Sequence, residues 1–425
     1  MTLSFAFAVA LILALPVVAM AQTSRVEGMA LQGDYIKDYT NIYTYPSCLT
    51  SVGNFMYAEL GNKGVINGSS GGPFTFDRSV GTVMDKLFDG KWGVWGIHMR
   101  QETPQIGQGD ALSQPGAGFG GADPNHHLNE GFDLQWGHKS GTTSIGLRLN
   151  RSYNKFQTQA PGITTILEFN PIGDPNLSRN IMGYSAGVGF QMNSRSTVEL
   201  AGQYQSRTWE LSTTDPAGPP FKWTDNGPTT YQIAARAMMQ WKPNVMLVPV
   251  VKYTSFDLSE KFDGPPLGTI TSFDNTLHGV QAGISSDWTM GTNDLMVWGL
   301  TFANNRFEAE EDVFGLGTGT DKVVITESLT PQVFAALETH INNWLTLRFG
   351  ATQGAFQHVK LEDKTTSTTT NVSLSSFHMN IGAGVKLGTL QLDAILADDF
   401  AQNLGWLGSG IPKSYFPKVT ATYAF

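Results

Sequence analysis

The residues of this chain best suited to chemistry are a histidine pair, His126-His127, with Asp110 and Asp123 in the same Gly-rich stretch. Histidine beside a carboxylate can serve hydrolysis or metal ligation. Adjacent histidines point apart on an extended chain and lack a third ligand, so the pair reads as a solvated loop feature. No catalytic residue, metal site or cofactor is expected, and the chain does not read as an enzyme. His98, His278 and His378 stand apart within alternating stretches, where satisfied wall histidines are expected. Cys48 is the only cysteine. Without CxxC or CxxCH, thiolate zinc clusters and covalent c-type haem are excluded, and a small buried thiol is expected. A net charge of −9 argues against a nucleic-acid partner.

A second set of chemical groups is spread along the chain with a period of two. In "TSIGLRLN" Ile145, Leu147 and Leu149 alternate with Arg148 and Asn150; in "STVELAGQYQSR" Val198, Leu200 and Tyr204 alternate with Glu199, Gln203 and Gln205. Strict alternation marks strands with two different environments on their faces. It assigns Arg100, Asp133, Arg148, Glu199, Arg236, Lys252, Asp287, Arg348 and Asp393 to the polar face. Charges on a wet lumen face cost little, whereas Arg or Lys facing lipid at mid-depth costs about 2–4 kcal/mol. These residues are therefore expected in a barrel lumen, as selectivity groups or as salt bridges across it.

The elements that must position them follow from composition and spacing. Apolar content is 41%, charged content 15%, and 47 glycines favour strand and turn over helix. From residue 54 onward, short connections alternate with long ones. The short ones are Asp89-Gly90, 138–141, Asn193-Ser194, 242–244, 291–293, 341–343 and Gly388-Thr389; the long ones lie near 61–75, 102–129, 155–179, 211–228, 257–273, 307–321, 358–371 and 398–413. This order predicts an all-β transmembrane antiparallel β-barrel of about 16 strands over residues 51–425, with short periplasmic turns, long outer loops and both chain ends on the short-turn side. Dyad alternation also suits a soluble sandwich, with the apolar face turned in. Trp92, Trp136, Trp241, Trp288 and Trp344 next to short turns favour the membrane, where aromatic rings gather at the interface. The final "FPKVTATYAF" turns Val419, Ala421, Tyr423 and Phe425 to one side, towards outer-membrane lipid, and a terminal Phe425 resembles the signal read by the barrel-assembly machinery. An apolar run ending in Ala19-Met20-Ala21 predicts a signal peptide over 1–21. The location expected is the bacterial outer membrane.

Residues 22–50 do not alternate, and with Tyr35, Tyr39, Tyr43 and Tyr45 they are too aromatic for a disordered tail. A plug folded into the lumen is expected, with Asp34 and Asp38 paired to wall arginines such as Arg100, Arg148 or Arg236, and with Tyr45 and Pro46 among its contact residues. Gly28-Met29-Ala30, Asp38 and Tyr45-Pro46-Ser47-Cys48-Leu49 resemble the N-terminal hatch of the outer-membrane long-chain fatty-acid transporter superfamily; Tyr39 stands at that pattern's second acidic position and Tyr45 replaces its Asn. The resemblance implies a hatch-bearing barrel, 14 strands in the best-known members, and hydrophobic solutes. The residues themselves imply passage of small solutes through a lumen restricted by the N-terminal segment. A barrel anchoring or sheathing another exported protein is a third reading.

Overall fold

Alternation along the chain becomes antiparallel pairing in space. The computed structural model describes residues 24–62, 76–85, 87–100, 130–157, 174–214, 221–227, 229–257, 259–263, 271–291, 293–312, 320–364, 367–398 and 414–425. The expected signal peptide and the loop holding Asp110, Asp123 and His126-His127 lie outside the described residues. Strand segments are β1 (Phe55–Asn62), β2 (Phe76–Met84), β3 (Val94–Arg100), β4 (Glu130–Ser140), β5 (Thr143–Gln157), β6 (Asp174–Asn193), β7 (Ser196–Thr214), β8 (Phe221–Asp225) and β9 (Thr229–Lys242). They continue with β10 (Val245–Asp257), β11 (Glu260–Asp263), β12 (Thr271–Met290), β13 (Asp294–Asp312), β14 (Thr320–His340), β15 (Leu345–Asp363), β16 (Thr368–Leu387), β17 (Leu390–Asp398) and β18 (Ser414–Ala424).

Successive crossing strands pair antiparallel, and β1 pairs with both β2 and β18, so the sheet closes on itself. Closure leaves no open edge, which is the condition for a sheet to cross hydrocarbon. β8 and β9 both lie along β7, and β8 also pairs with β11 while β9 pairs with β10. They are two parts of one strand interrupted at Asn226-Gly227, and β10 with β11 forms its equally broken neighbour. The barrel therefore has sixteen crossing strands rather than the fourteen that the resemblance implies.

The short connections fall where the sequence puts them. Phe55 stands opposite Ala424, so the barrel strands begin and end at the short-turn rim. The faces also follow the alternation. Along β9, Tyr231 and Ile233 are exposed while Gln232, Ala234, Arg236 and Met238 are buried inside. Leu147, Leu200, Val251, Val280 and Val333 likewise project outward on other strands. An apolar band of this extent must be covered by hydrocarbon. Trp92, Trp241 and Trp344 are exposed at the short-turn end, as are Tyr423 and Phe425. From Trp241 up to Tyr231, the rise of a strand tilted by about 40° is about 25 Å, the height of a lipid-facing band. The chain is a transmembrane β-barrel of the outer-membrane kind.

Candidate functional site

The site is the lumen, and residues 24–52 fill its short-turn half. This segment makes a helical turn at Ser24–Glu27, a second at Asn41–Thr44, and tighter turns at Gly33–Tyr35 and Pro46–Ser51. It has two apolar anchors. Val26, Met29, Leu31, Tyr35 and Ile36 pack on Met238, Val248, Val250, Val297, Phe334 and Ala336 of the wall; Ile42, Tyr43, Tyr45, Cys48 and Leu49 pack on Phe55, Tyr57, Val83, Ala201 and Ala234. Tyr35, Tyr45, Met29, Ile36, Ile42 and Leu49 have almost no accessible surface.

Polar contacts complete a circuit of the wall. Ser24 Oγ lies 2.7 Å from Thr420 Oγ1 on β18, and Lys418 on the same strand donates to Glu27 (2.8 Å) and pairs with Glu59 of β1 (3.1 Å). Asn380 on β16 donates to the Glu27 carbonyl (2.7 Å), and Thr352 on β15 to the Ala30 carbonyl (2.8 Å). The Tyr35 and Thr301 hydroxyls are 2.8 Å apart at β13. On the other side Gln203 of β7 donates to the Thr44 carbonyl (3.0 Å) and Arg148 of β5 to the Tyr43 carbonyl (3.2 Å). His98 on β3 is fully buried, with Nδ1 3.1 Å from the Tyr43 hydroxyl, which also meets Tyr57 (2.9 Å).

The expected pairing of Asp34 and Asp38 with wall arginines needs correction. Asp34 pairs with Lys252 of β10. Asp38 accepts from Thr40 N (3.0 Å), Thr40 Oγ1 (2.8 Å) and Arg25 (3.1 Å), all on the segment itself. Arg148 and Arg236 are held by carboxylates on adjacent strands, and Arg348 by one on the adjacent β14 and one on β17, reached over Gly384. Arg236 stands directly across from Glu199 and is ion-paired to it, Arg148 binds Asp133 (2.8 Å), and Arg348 binds Glu338 (2.6 Å) and Asp393 (2.7 Å). Side chains on neighbouring strands are brought together by the ladder itself, which leaves the segment to the donors that remain. The arginines still serve the segment through their remaining donors. Arg236 reaches the Asp34 carbonyl (3.0 Å) and Asn41 Oδ1 (3.1 Å) and lies over the Tyr45 ring, 4.5 Å from its centre. Arg25 forks onto both oxygens of Glu338 (2.9 Å each), bringing a segment cation into the Arg348–Asp393 chain.

Asp133, Arg148, Glu199, Arg236, Lys252, Arg348 and Asp393 are all buried on the lumen face. Asp287 is buried there too, accepting from Ser285 Oγ (2.8 Å). Arg100 ends β3, and its side chain lies outside the described set. His278 is exposed, with Ser255 Oγ 3.1 Å away, and His378 stands opposite Thr352. Cys48 donates to Glu199 (2.7 Å), and burial pushes its thiol pKa up, as it does for the Tyr39 and Tyr45 phenols. Among the described residues no three His, Cys, Asp or Glu side chains gather to hold a metal.

The sequence reading missed the glycines that receive the segment. A Cβ on Gly350 would lie 1.6 Å from the Met29 carbonyl oxygen, and one on Gly146 2.1 Å from the Pro46 carbonyl. Both occupy the inward phase of their strands, two residues from Arg348 and Arg148. An inward glycine at mid-strand signals close backbone approach.

No protein-family model and no curated protein matches the sequence. Among solved structures, the chain is similar to the toluene transporter TodX of Pseudomonas putida at 8% identity, over 95% of this chain and 96% of that one, with a TM-score of 0.41. It is similar to the toluene transporter TbuX of Ralstonia pickettii at 10% identity (95% and 97% covered, TM-score 0.36). It also resembles the ferric yersiniabactin uptake receptor FyuA of Yersinia pestis at 8% identity (80% and 68% covered, TM-score 0.35). Each of these is a likeness of barrel architecture.

Proposed function

We propose that the chain is an outer-membrane channel for small solutes in which residues 24–52 are a plug that must shift before anything passes. The observation that carries this reading is the segment's contact with the whole wall, from Thr420 on β18 round to Arg148 on β5 and back to Tyr57 on β1. Two apolar anchors and buried ion pairs hold it in one docked position. A lumen filled this way carries little free current, unlike a general porin, and at this level it leaves no room for a second protein, which argues against a sheath. Beside the plug and beyond it, inward positions of β4, β5, β7 and β9 carry Gln135, Asn150, Gln205 and Gln232, which favours hydrophilic over hydrocarbon solutes. Phe425, exposed at the rim and stacked 6.3 Å from Tyr423, is the group we assign to recognition by the assembly machinery.

Liposome swelling tests the reading. Vesicles holding the intact protein should admit arabinose slowly, and vesicles holding Gly350→Val, whose added side chain collides with the Met29 backbone, should admit it faster. Equal rates with both proteins, each assembled as a barrel, count against a plug that controls passage.

A further inference from the structure

Buried polar side chains are nearly always hydrogen-bonded, and a cluster that is not points to something outside the protein that completes it. On the lumen wall of β4, β5 and β7, four side chains break the rule. Gln135 and Asn150 are each 1% exposed, Ser152 0% and Gln205 5%. Neither polar atom of the Gln135 amide has a hydrogen-bond partner, nor does either of Asn150, nor the Ser152 hydroxyl, nor the Gln205 nitrogen.

The four belong to one patch. Asn150 stands across from Asp133 on β4, one inward position from Gln135. On its other side its register partner is Gly183 of β6, whose partner on β7 is Gln205. The Asn150 amide lies over Gly183, its oxygen 2.1 Å from where a Cβ would stand. The missing side chain thus lets Asn150 reach across β6 towards Gln205, and Ser152 is the next inward residue up β5. Of the charges nearby, Arg148 binds Asp133 at 2.8 Å and the Tyr43 carbonyl at 3.2 Å, and Arg207 stands one row up, in line with Ser152 across Ile181. The four side chains themselves are uncharged, with donors and acceptors side by side. Carboxamides present both, and so does a hydroxyl group.

We infer that Gln135, Asn150, Ser152 and Gln205 form a binding site for a neutral, multiply hydroxylated solute, of the polyol or sugar class, on the lumen wall that begins beside Tyr43. A hydrocarbon would leave these buried dipoles unpaired at continuing cost. The inference deepens the proposed function by naming the class of solute, and it rests on that reading for the site's role in transport.

The test measures binding separately from passage. The intact, detergent-solubilised protein is mixed with glycerol, glucose, maltose and N-acetylglucosamine, with toluene as the apolar probe, and saturation-transfer NMR reports which probes contact it. At least one hydroxylated probe should give a signal, and titration should show it weakened about fivefold by Asn150→Leu and by Gln205→Leu, each of which removes one or two hydrogen bonds at similar volume. Heat-dependent gel migration verifies that each variant is a folded barrel; should one fail to assemble, Gln135→Met replaces it. Absence of every hydroxylated probe, binding of toluene alone, or signals unchanged in the folded variants would overturn the site. Arabinose swelling on the same preparations keeps the two claims apart. Binding without passage refutes the transport reading and leaves the site standing, whereas passage without binding refutes the site alone.

Discussion

Replacing Gly146 with alanine adds one carbon to the lumen wall, and the structure says where it must go. The new Cβ would stand 2.1 Å from both the carbon and the oxygen of the Pro46 carbonyl, where ordinary contact begins at 3.4 Å. Gly146 is held on both sides by the ladder, opposite Gly137 and Gly187, so the wall cannot retreat and Pro46 must move by more than an ångström. Overpacking of this kind costs about 1–3 kcal/mol. Charged to the docked state, that raises the undocked population about 5- to 150-fold. Cys48, two residues on and the only thiol in the chain, is the reporter. It is 5% exposed, and burial raises its pKa, so a membrane-impermeant maleimide reaches it only when the segment leaves. Labelling of Gly146→Ala in detergent at pH 7.5 should accelerate in proportion to the undocked population. Gly202→Ala, at a position with no atom within 4 Å, should label like the parent. If Gly146→Ala folds and Cys48 still labels at the parental rate, the close approach of segment and wall is wrong.

The other expectations follow from the same contacts. Lys252→Ala strands the buried Asp34 carboxylate and should destabilise the docked segment by about 3–5 kcal/mol, read as faster Cys48 labelling, whereas Lys252→Met with Asp34→Leu should restore much of the protection. Leu147→Arg puts a charge on the lipid face and should lower barrel stability by about 2–4 kcal/mol in urea titrations from lipid vesicles; no change would mean that Leu147 does not face hydrocarbon. Burial raises the Cys48, Tyr39 and Tyr45 pKa values, so the docked segment retains protons that a released one gives up above about pH 9 for the thiol and pH 10 for the phenols. Docking is therefore fully favoured below those values and weakens as pH rises through them, so single-channel current should grow between pH 9 and 11, and a flat profile would count against it.

Much of the barrel is legible in the sequence because the bilayer imposes alternation on every residue at its depth. Ile145, Leu147, Arg148 and Asn150 show their faces without any knowledge of neighbours. Above the bilayer both faces are wet and that signal fades, while the hydrogen-bond ladder continues. This is why stretches read as loops, near 211–228, 257–273 and 307–321, contain the ends of β7 and β13 and the short β8 and β11. The inner-face burial of Arg148, Glu199, Arg236, Lys252 and Arg348 was legible for the same reason as the wall. Their partners were not, because Asp34 meeting Lys252, or Arg25 meeting Glu338, depends on how a non-repeating segment sits against sixteen strands. Gly146 and Gly350 carried a readable hint, since glycine on the inward phase of a strand has no packing of its own to offer. The unpaired amides of Gln135 and Asn150 could not be read at all, because satisfaction of a polar group is a property of three-dimensional surroundings.

The claim that residues 24–52 close a solute-conducting lumen is tested most directly by planar-bilayer recording of the intact protein beside a variant lacking those residues. The account predicts an assembled, truncated barrel with large, stable conductance steps and an intact protein with little current under the same salt and voltage. Equal conductance from the two, or a folded truncated barrel that carries no current, would contradict it.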